Sequence, residues 1–302
     1  MTTVFIDGAA GTTGLEIRER LAGRPEFRLA ILDDARRKDP AARREALNEA
    51  DVVILCLPDD AAIEAVALVE NPRTRIIDAS SAHRVANGWT YGFPELGHDV
   101  AGASRVSNPG CYPTGFLALV APLVRAGLIP VDWPLTVNAV SGYSGGGKAL
   151  IERVDADPDL AFRAYGFGLA HKHVPEMQRH AGLAHPPVFA PSVARAFRGM
   201  IVEVPLPLVA MPGAPSREAV LEVLHATFDE APAIRTHESQ PDELLLARDA
   251  APSDRLDLYV FANERQARLV ATLDNLGKGA AGAAVQNLNL MAGLPATAGL
   301  VL

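Results

Sequence analysis

The first hundred residues alternate strand-like and helix-like segments, and a glycine-rich turn joins the first such pair. That alternation restricts the fold more tightly than any other feature. Residues 3–6 are apolar and lead into Gly8-Ala9-Ala10-Gly11-Thr12-Thr13-Gly14. Leu15, Ile17, Leu21 and Ala22 then recur among charged residues, the spacing of an amphipathic helix. Residues 27–32, 52–57 and 75–78 read as further strands, with a helix over 61–69. Strand, helix and strand in repetition imply a parallel sheet with right-handed crossovers. Gly8, Gly11 and Gly14 stand where a dinucleotide pyrophosphate meets a helix N-terminus. Their spacing is Gly-x-x-Gly-x-x-Gly, not the commoner Gly-x-Gly-x-x-Gly, so the position between strand and helix carries the reading.

The character changes later in the chain. Residues 135–140, 199–206, 256–262 and 268–274 are rich in β-branched and aliphatic side chains, the later ones alternating with polar partners. Asn263-Glu264-Arg265 separates the last two as a hairpin turn does. Residues 216–228 read as a helix with Ser216 as N-cap and Glu218 in its first turn. Mixed strands and helices of this kind suggest a second, α+β domain, and residues 279–291 read as a terminal helix.

The two cysteines stand in contrasting surroundings. Cys111 lies in Ser107-Asn108-Pro109-Gly110-Cys111-Tyr112-Pro113-Thr114-Gly115, directly ahead of the apolar, helix-like run Phe116 to Val124. A thiol in the first turn of a helix faces unpaired backbone N–H groups and the positive end of the dipole, which favour thiolate over thiol. Cys56 falls inside Val52-Val53-Ile54-Leu55-Cys56-Leu57, which reads as a buried parallel strand where a thiol is an inert small hydrophobe.

A chain of 302 residues exceeds one typical domain, so two are expected. A formal net charge of −8 excludes a general nucleic-acid or membrane-surface binder, and any anionic ligand needs local positive charge. The only lysines are Lys38, Lys148, Lys172 and Lys278. Two cysteines in this length suggest a reducing compartment, hence the cytoplasm. The N-terminus enters a strand-like run without a basic leader, so no secretory signal is expected. No apolar stretch approaches the ~18 residues of a membrane helix.

Three further segments carry chemistry. Asp33-Asp34-Ala35-Arg36-Arg37-Lys38 follows the second strand; an acid there suits a ribose 2′-hydroxyl and a base suits a 2′-phosphate. Both kinds are present, and the balance tilts to NADPH through Arg36 and Lys38. Ser141-Gly142-Tyr143-Ser144-Gly145-Gly146-Gly147-Lys148 offers backbone amides, hydroxyls and a cation to a phosphate, without the Walker spacing. His171-Lys172-His173 makes a poor metal pair, since no third ligand clusters with it, and no metal is expected. Either imidazole, placed near Cys111, would serve as general acid/base and steady the thiolate.

In order along nearly the whole chain, several blocks resemble the N-acetyl-γ-glutamyl-phosphate reductases, in their shorter type, within the aspartate-semialdehyde-dehydrogenase-like group. They are the glycine turn, Asp78-Ala79-Ser80-Ser81-Ala82-His83-Arg84, Tyr91-Gly92-Phe93-Pro94-Glu95-Leu96, Asn108-Pro109-Gly110-Cys111-Tyr112-Pro113-Thr114, Ser141-Gly142-Tyr143-Ser144-Gly145, His171-Lys172-His173-Val174-Pro175-Glu176, Arg198-Gly199-Met200 and the block from Asp274 to Gly282. The Asn-Pro-Gly-Cys-Tyr-Pro-Thr block is the most specific. The resemblance implies a Rossmann-like dinucleotide-binding domain over residues 1–112, completed by about 277–302. An α+β catalytic and oligomerisation domain is implied over 113–276, with the C-terminal helix returning to the cofactor domain.

It also implies NADPH-dependent reduction of N-acetyl-γ-glutamyl phosphate to N-acetylglutamate 5-semialdehyde and phosphate through a cysteine thioester, in arginine biosynthesis, by a homo-oligomer. Cys111 matches the nucleophile and His171 the acid/base, with His173 and Tyr165 in support. The cofactor set is Gly8, Gly11, Thr12, Thr13, Gly14, Arg36, Lys38, Ser80, Asn275 and Lys278. The substrate and phosphate set is Arg84, Asn108, Ser141, Gly142, Ser144, Gly145, Lys148 and Arg198. Two departures stand out: His83 where many members carry an acid, and Pro191-Ser192 where the longer type has Pro-His. The rival readings are a reductase of aspartyl phosphate or of a carrier-linked aminoadipyl phosphate, a dinucleotide-sensing protein without turnover, and a metal-dependent hydrolase.

Overall fold

The computed structural model describes residues 1–302 except Asp34, Arg37 and Lys38. Two compact units result, one from Met1–Pro109 with Ala280–Leu300 and one from Gly110–Gly279 with Val301–Leu302.

The first unit begins with β1 (Thr2–Asp7), α1 (Thr12–Leu21), β2 (Phe27–Ala30), α2 (Pro40–Glu49), β3 (Val52–Leu55), α3 (Asp59–Leu68), β4 (Arg75–Asp78), β5 (Thr90–Tyr91) and β6 (Arg105–Ser107). Among the described residues the strands pair in the order β2-β1-β3-β4-β6-β5, every pairing parallel. Both faces are covered, and the period-two alternation of a strand sends neighbours to opposite cores. Val4, Ile6, Val52 and Ile54 join one cluster. Phe5, Val53 and Leu55 join the other. Each fully buried aliphatic side chain of this kind contributes about 1.5–3 kcal/mol.

Strand β3 stops two residues short of the expected end, so Cys56 lies just past the strand. Its N–H still donates to Asp7 O at 2.8 Å. The ladder ends here because the chain turns at Gly8, whose φ of +88° and close approach to the Cys56 carbonyl (2.2 Å from an added Cβ) exclude a side chain.

The second unit holds α4 (Cys111–Arg125), β7 (Thr136–Gly142), α5 (Gly147–Ala156), β8 (Phe162–Ala164), α6 (Val174–Ala181), β9 (Val188–Ala194), β10 (Met200–Leu206), α7 (Arg217–Phe228), β11 (Ile234–His237), β12 (Leu256–Ala262) and β13 (Ala267–Leu273). Its sheet runs β11-β12-β13-β10-β7-β9-β8 among the described residues. Two pairs are parallel, β7 with β9 and β11 with β12, and the rest antiparallel. Strand β10 alternates, with Met200, Val202, Val204 and Leu206 buried. Helix α4 is buried from Tyr112 to Val124 and packs on β10, β13, α6 and α7. The expected turn after β12 closes with Asn263 N–H to Gln266 O at 3.1 Å, and Ser216 Oγ caps α7 through Ala219 N–H at 3.2 Å.

Three strands of this sheet, β8, β9 and β11, escape sequence patterning. Pro191 interrupts the alternation of β9, while β8 and β11 span only three and four residues. The units divide between Pro109 and Gly110, ahead of the expected boundary after residue 112. A cut there would pass through the first turn of α4, which packs on β10 and β13 of the second sheet.

The chain closes with α8 (Gly282–Met291), preceded by one π-helical turn over Gly277–Ala281. Helix α8 belongs to the first unit and packs against α1 and β4. None of the described helices is long and apolar enough to cross a membrane.

Candidate active site

In the first unit, the turn from β1 brings the chain to α1 with Gly11 as N-cap, no side-chain cap and no acidic residue in the first turn. The N–H groups of Thr12 and Thr13 therefore have no intrahelical acceptor and stand at the positive end of the dipole. This start fits a pyrophosphate. Asp7, at the end of β1, is held by Arg43 at 2.7 Å from Nη2 and 3.2 Å from Nε. Arg36 is exposed, paired with Glu45 at 3.0 Å, and its N–H donates to Asp33 Oδ1 at 2.8 Å. Lys38 lies outside the described residues.

The carboxyl end of β4 gathers polar side chains around Asp78, which is fully buried. Ser80 Oγ donates to Asp78 Oδ2 at 2.7 Å, and His83 Nδ1 lies 2.6 Å from the same oxygen. The His83 ring stacks on Trp89 at 4.1 Å between centroids. Arg84 and Asn108 are turned inward. Arg84 donates to Asn108 O at 3.0 Å and Ala79 O at 3.1 Å. Asn108 Nδ2 donates to Ala280 O at 3.0 Å, and its Oδ1 accepts from Asn287 Nδ2 at 3.0 Å. Both side chains thus pin backbone of the first unit.

In the second unit, Cys111 opens α4 and is half-buried, not disulfide-bonded. Gly279 crosses it so closely that an added Cβ would lie 2.9 Å from Cys111 Cβ and 3.1 Å from Asp274 O. An aromatic and imidazole cluster surrounds the next residue, Tyr112. His171 stands edge-on to Tyr112 at 6.1 Å, 5.7 Å from Tyr165, 4.8 Å from His173 and 5.1 Å from Phe189, centroid to centroid. Tyr165 Oη donates to Tyr112 Oη at 3.3 Å, and Tyr112 Oη donates to Ser192 O at 3.1 Å. Burial raises both phenols above the usual tyrosine value, with the neighbouring Cys111 adding to it.

His171 is half-buried and uncharged at neutral pH, since burial first and the Lys172 cation second push it down to about 4. Its Nδ1 accepts the N–H of His173 at 3.2 Å. The neutral ring therefore carries its proton on Nε2. An imidazolium would have to give up that backbone hydrogen bond, which makes it a strong acid.

At the end of β7, where the Ser-Gly turn begins, Ser141 Oγ donates to Gly142 O at 2.9 Å. Ser144 Oγ accepts from Asn275 Nδ2 at 2.9 Å, and Asn275 Oδ1 accepts from Gly199 N–H at 2.9 Å. Gly142 N–H donates to Gly199 O at 2.8 Å, and an added Cβ on Gly145 would sit 3.3 Å from Ser141 Oγ. Arg198 is buried in an ion pair with Asp274 at 2.9 Å. Lys148 instead projects outward, its side chain 87% exposed beside Glu152 at 3.8 Å. Lys278 is 2% exposed, in the π-helical turn.

Sequence reading passed over four residues here: Tyr112, Phe189, Glu176 and Gly279. Tyr112, Glu176 and Gly279 lie within the quoted blocks but carried no spacing signal of their own. Phe189 and Gly279 become neighbours of the site only through the sheet and the turn before α8.

A parallel dinucleotide-type sheet in the first unit and, in the second, a helix-start cysteine followed by Tyr112 and its ring cluster mark a nicotinamide-dependent oxidoreductase. Residues 33–103 match the model of the semialdehyde dehydrogenase NAD binding domain, and residues 111–275 that of the semialdehyde dehydrogenase dimerisation domain. The chain belongs to the semialdehyde dehydrogenase family, in its N-acetyl-gamma-glutamyl-phosphate reductase branch. The N-acetyl-gamma-glutamyl-phosphate reductase of Trichormus variabilis is 48% identical over 98% of each chain. N-acetyl-gamma-glutamyl-phosphate reductase 2 of Pseudomonas putida is 50% identical over 96% of each. The fold is similar to aspartate semialdehyde dehydrogenase II of Vibrio cholerae, with a TM-score of 0.69 at 16% identity, over 96% of this chain and 98% of that one. It is also similar to the Candida albicans aspartate semialdehyde dehydrogenase solved with NADP, with a TM-score of 0.67 at 15% identity over the same shares.

Proposed function

We propose that this protein reduces N-acetyl-γ-glutamyl phosphate to N-acetylglutamate 5-semialdehyde and phosphate, with NADPH as reductant, in the cytoplasmic synthesis of arginine. The observation that carries the reading is Cys111 at the start of α4, beside a ring cluster that includes His171 and Tyr165. The reductase relatives support the substrate. Arg36, exposed after β2, is the cation offered to the cofactor's 2′-phosphate. The uncapped start of α1 at Thr12 and Thr13 takes the pyrophosphate.

Cys111 attacks the acyl carbon as a thiolate, favoured by the helix start. As that anion forms, the thiol proton passes to His171, whose weak affinity for it is offset by the charge appearing alongside. Backbone N–H groups in the first turn of α4 receive the oxyanion. The carbon–oxygen bond to phosphate then breaks, and His171 returns its proton to the departing oxygen, leaving a thioester on Cys111. The nicotinamide, when bound, supplies the hydride that reduces this thioester. Cys111 leaves as a thiolate when the aldehyde carbonyl forms. Two easier steps replace one hard one, the general benefit of a covalent nucleophile.

The matching dimerisation-domain model supports a homo-oligomer, which light scattering of the purified protein would measure. Phosphate-dependent oxidation of N-acetylglutamate 5-semialdehyde, followed as NADPH appearing, tests the whole reading. A faster rate with aspartate semialdehyde would replace the substrate. A faster rate with NAD would replace the cofactor.

A further inference from the structure

Glu176, in the first turn of α6, is 1% exposed. Its Oε1 accepts the N–H of Gly110 at 2.7 Å. Gly110 is the N-cap of α4, extended at φ −72° and ψ 152°, and brings no side chain to the helix end. In a capping box, the acid three residues into the same helix reaches back to the N-cap N–H. That position in α4 is Pro113, and the hydroxyl of Thr114 is turned to the Gly110 carbonyl at 2.9 Å. A different helix supplies the acid instead. It is the helix whose N-cap is His173 and whose lead-in holds His171.

We infer that Glu176 is a positioning residue for the reaction: it ties the start of the nucleophile's helix to the segment carrying His171, so that sulfur and imidazole share one frame. The inference rests on Cys111 being the nucleophile. Two consequences follow from the geometry. The outermost donor of the helix start is consumed, and Pro113 has none. The oxyanion then meets the first-turn N–H groups nearest the sulfur, those of Cys111 and Tyr112. Moreover, a buried carboxylate close to a forming thiolate opposes that anion. The useful property of Glu176 is therefore its acceptor oxygen at the right reach, not its charge.

The test compares the wild type with Glu176→Ala, Glu176→Asp and Glu176→Gln in phosphate- and NADP-dependent aldehyde oxidation, with thermal unfolding of each and iodoacetamide inactivation of the wild type. Because an ångström of misplacement costs about a hundredfold, kcat should fall by about that factor in the alanine and aspartate variants, with KM for the aldehyde within about twofold. The glutamine variant, which keeps the acceptor, should retain kcat within about threefold. Wild-type enzyme that survives alkylation of Cys111 would sink the nucleophile reading and this inference with it. Where alkylation does inactivate, unchanged kcat in the alanine and aspartate variants overturns the positioning role alone, as does a glutamine variant impaired as much as alanine. Should the alanine variant fail to fold, the aspartate and glutamine pair decides the matter.

Discussion

Cys56 and Cys111 are the same residue placed at opposite kinds of chain end. Cys56 follows the carboxyl end of β3 and packs against the core of the first unit. The residue keeps some accessible surface, yet burial pushes its thiol up to about 12, with the Asp78 and Asp7 carboxylates adding their repulsion. Cys111 opens a helix, where backbone N–H groups and the dipole favour an anion. Reactivity is thus decided by which end of which element carries the sulfur and by the sign of its neighbours.

The sharpest way to break this contrast is Cys111→Ser. Turnover should fall by at least about a thousandfold, as for loss of a covalent nucleophile, while the NADPH dissociation constant stays within about threefold. Appreciable reductase activity in that variant would end the assignment.

Gly279→Ala probes how tightly the sulfur is held. A methyl group would stand 2.9 Å from Cys111 Cβ and must displace it. We expect kcat to drop about tenfold to a hundredfold and stability to fall by about 1–3 kcal/mol, read by steady-state kinetics and urea unfolding. An unaltered kcat would show that the helix start tolerates displacement.

His171 sharpens the electrostatic side. The folded state holds it at about 4 against an ordinary 6.5. Between those values the unfolded chain binds more protons, so this contribution to stability is complete above the upper value and is lost as pH falls toward the lower. His171→Asn should therefore show a smaller difference between its urea midpoints at about pH 7 and about pH 4.5 than the wild type does. An equal difference would place the acid sensitivity elsewhere.

The smallest effect belongs to Cys56→Ala. Turnover should stay within about twofold, and iodoacetamide at neutral pH should label one thiol in both wild type and variant. Labelling of Cys56 in the wild type would erase the contrast between the two sulfurs.

Local pattern made much of the first unit legible, because the glycine turn, the alternating strands and the helix between them are each specified by neighbours in sequence. The same holds for Cys111 at a helix start and for the Ser216 cap. Strands β8, β9 and β11 were not legible: two are too short for a period to register, and Pro191 breaks the third. The basic residues illustrate the limit best. Lys148, Arg84 and Arg198 look alike as candidate anion binders, yet one is exposed on α5, one clamps backbone carbonyls and one is paired with Asp274.

What the sequence determined by itself is which side chains stand at the glycine turn and at the helix starts, and the local elements that present them, since turns, caps and periodicity act over a few residues. Which groups meet was decided only by tertiary structure. The contact of Glu176 with Gly110 spans 66 residues of chain, and the approach of Gly279 to Cys111 depends on the turn that leads into α8. Such pairings arise from how helices bury their apolar faces on a sheet. Burial is largely non-directional, so it leaves no fixed spacing along the chain to read.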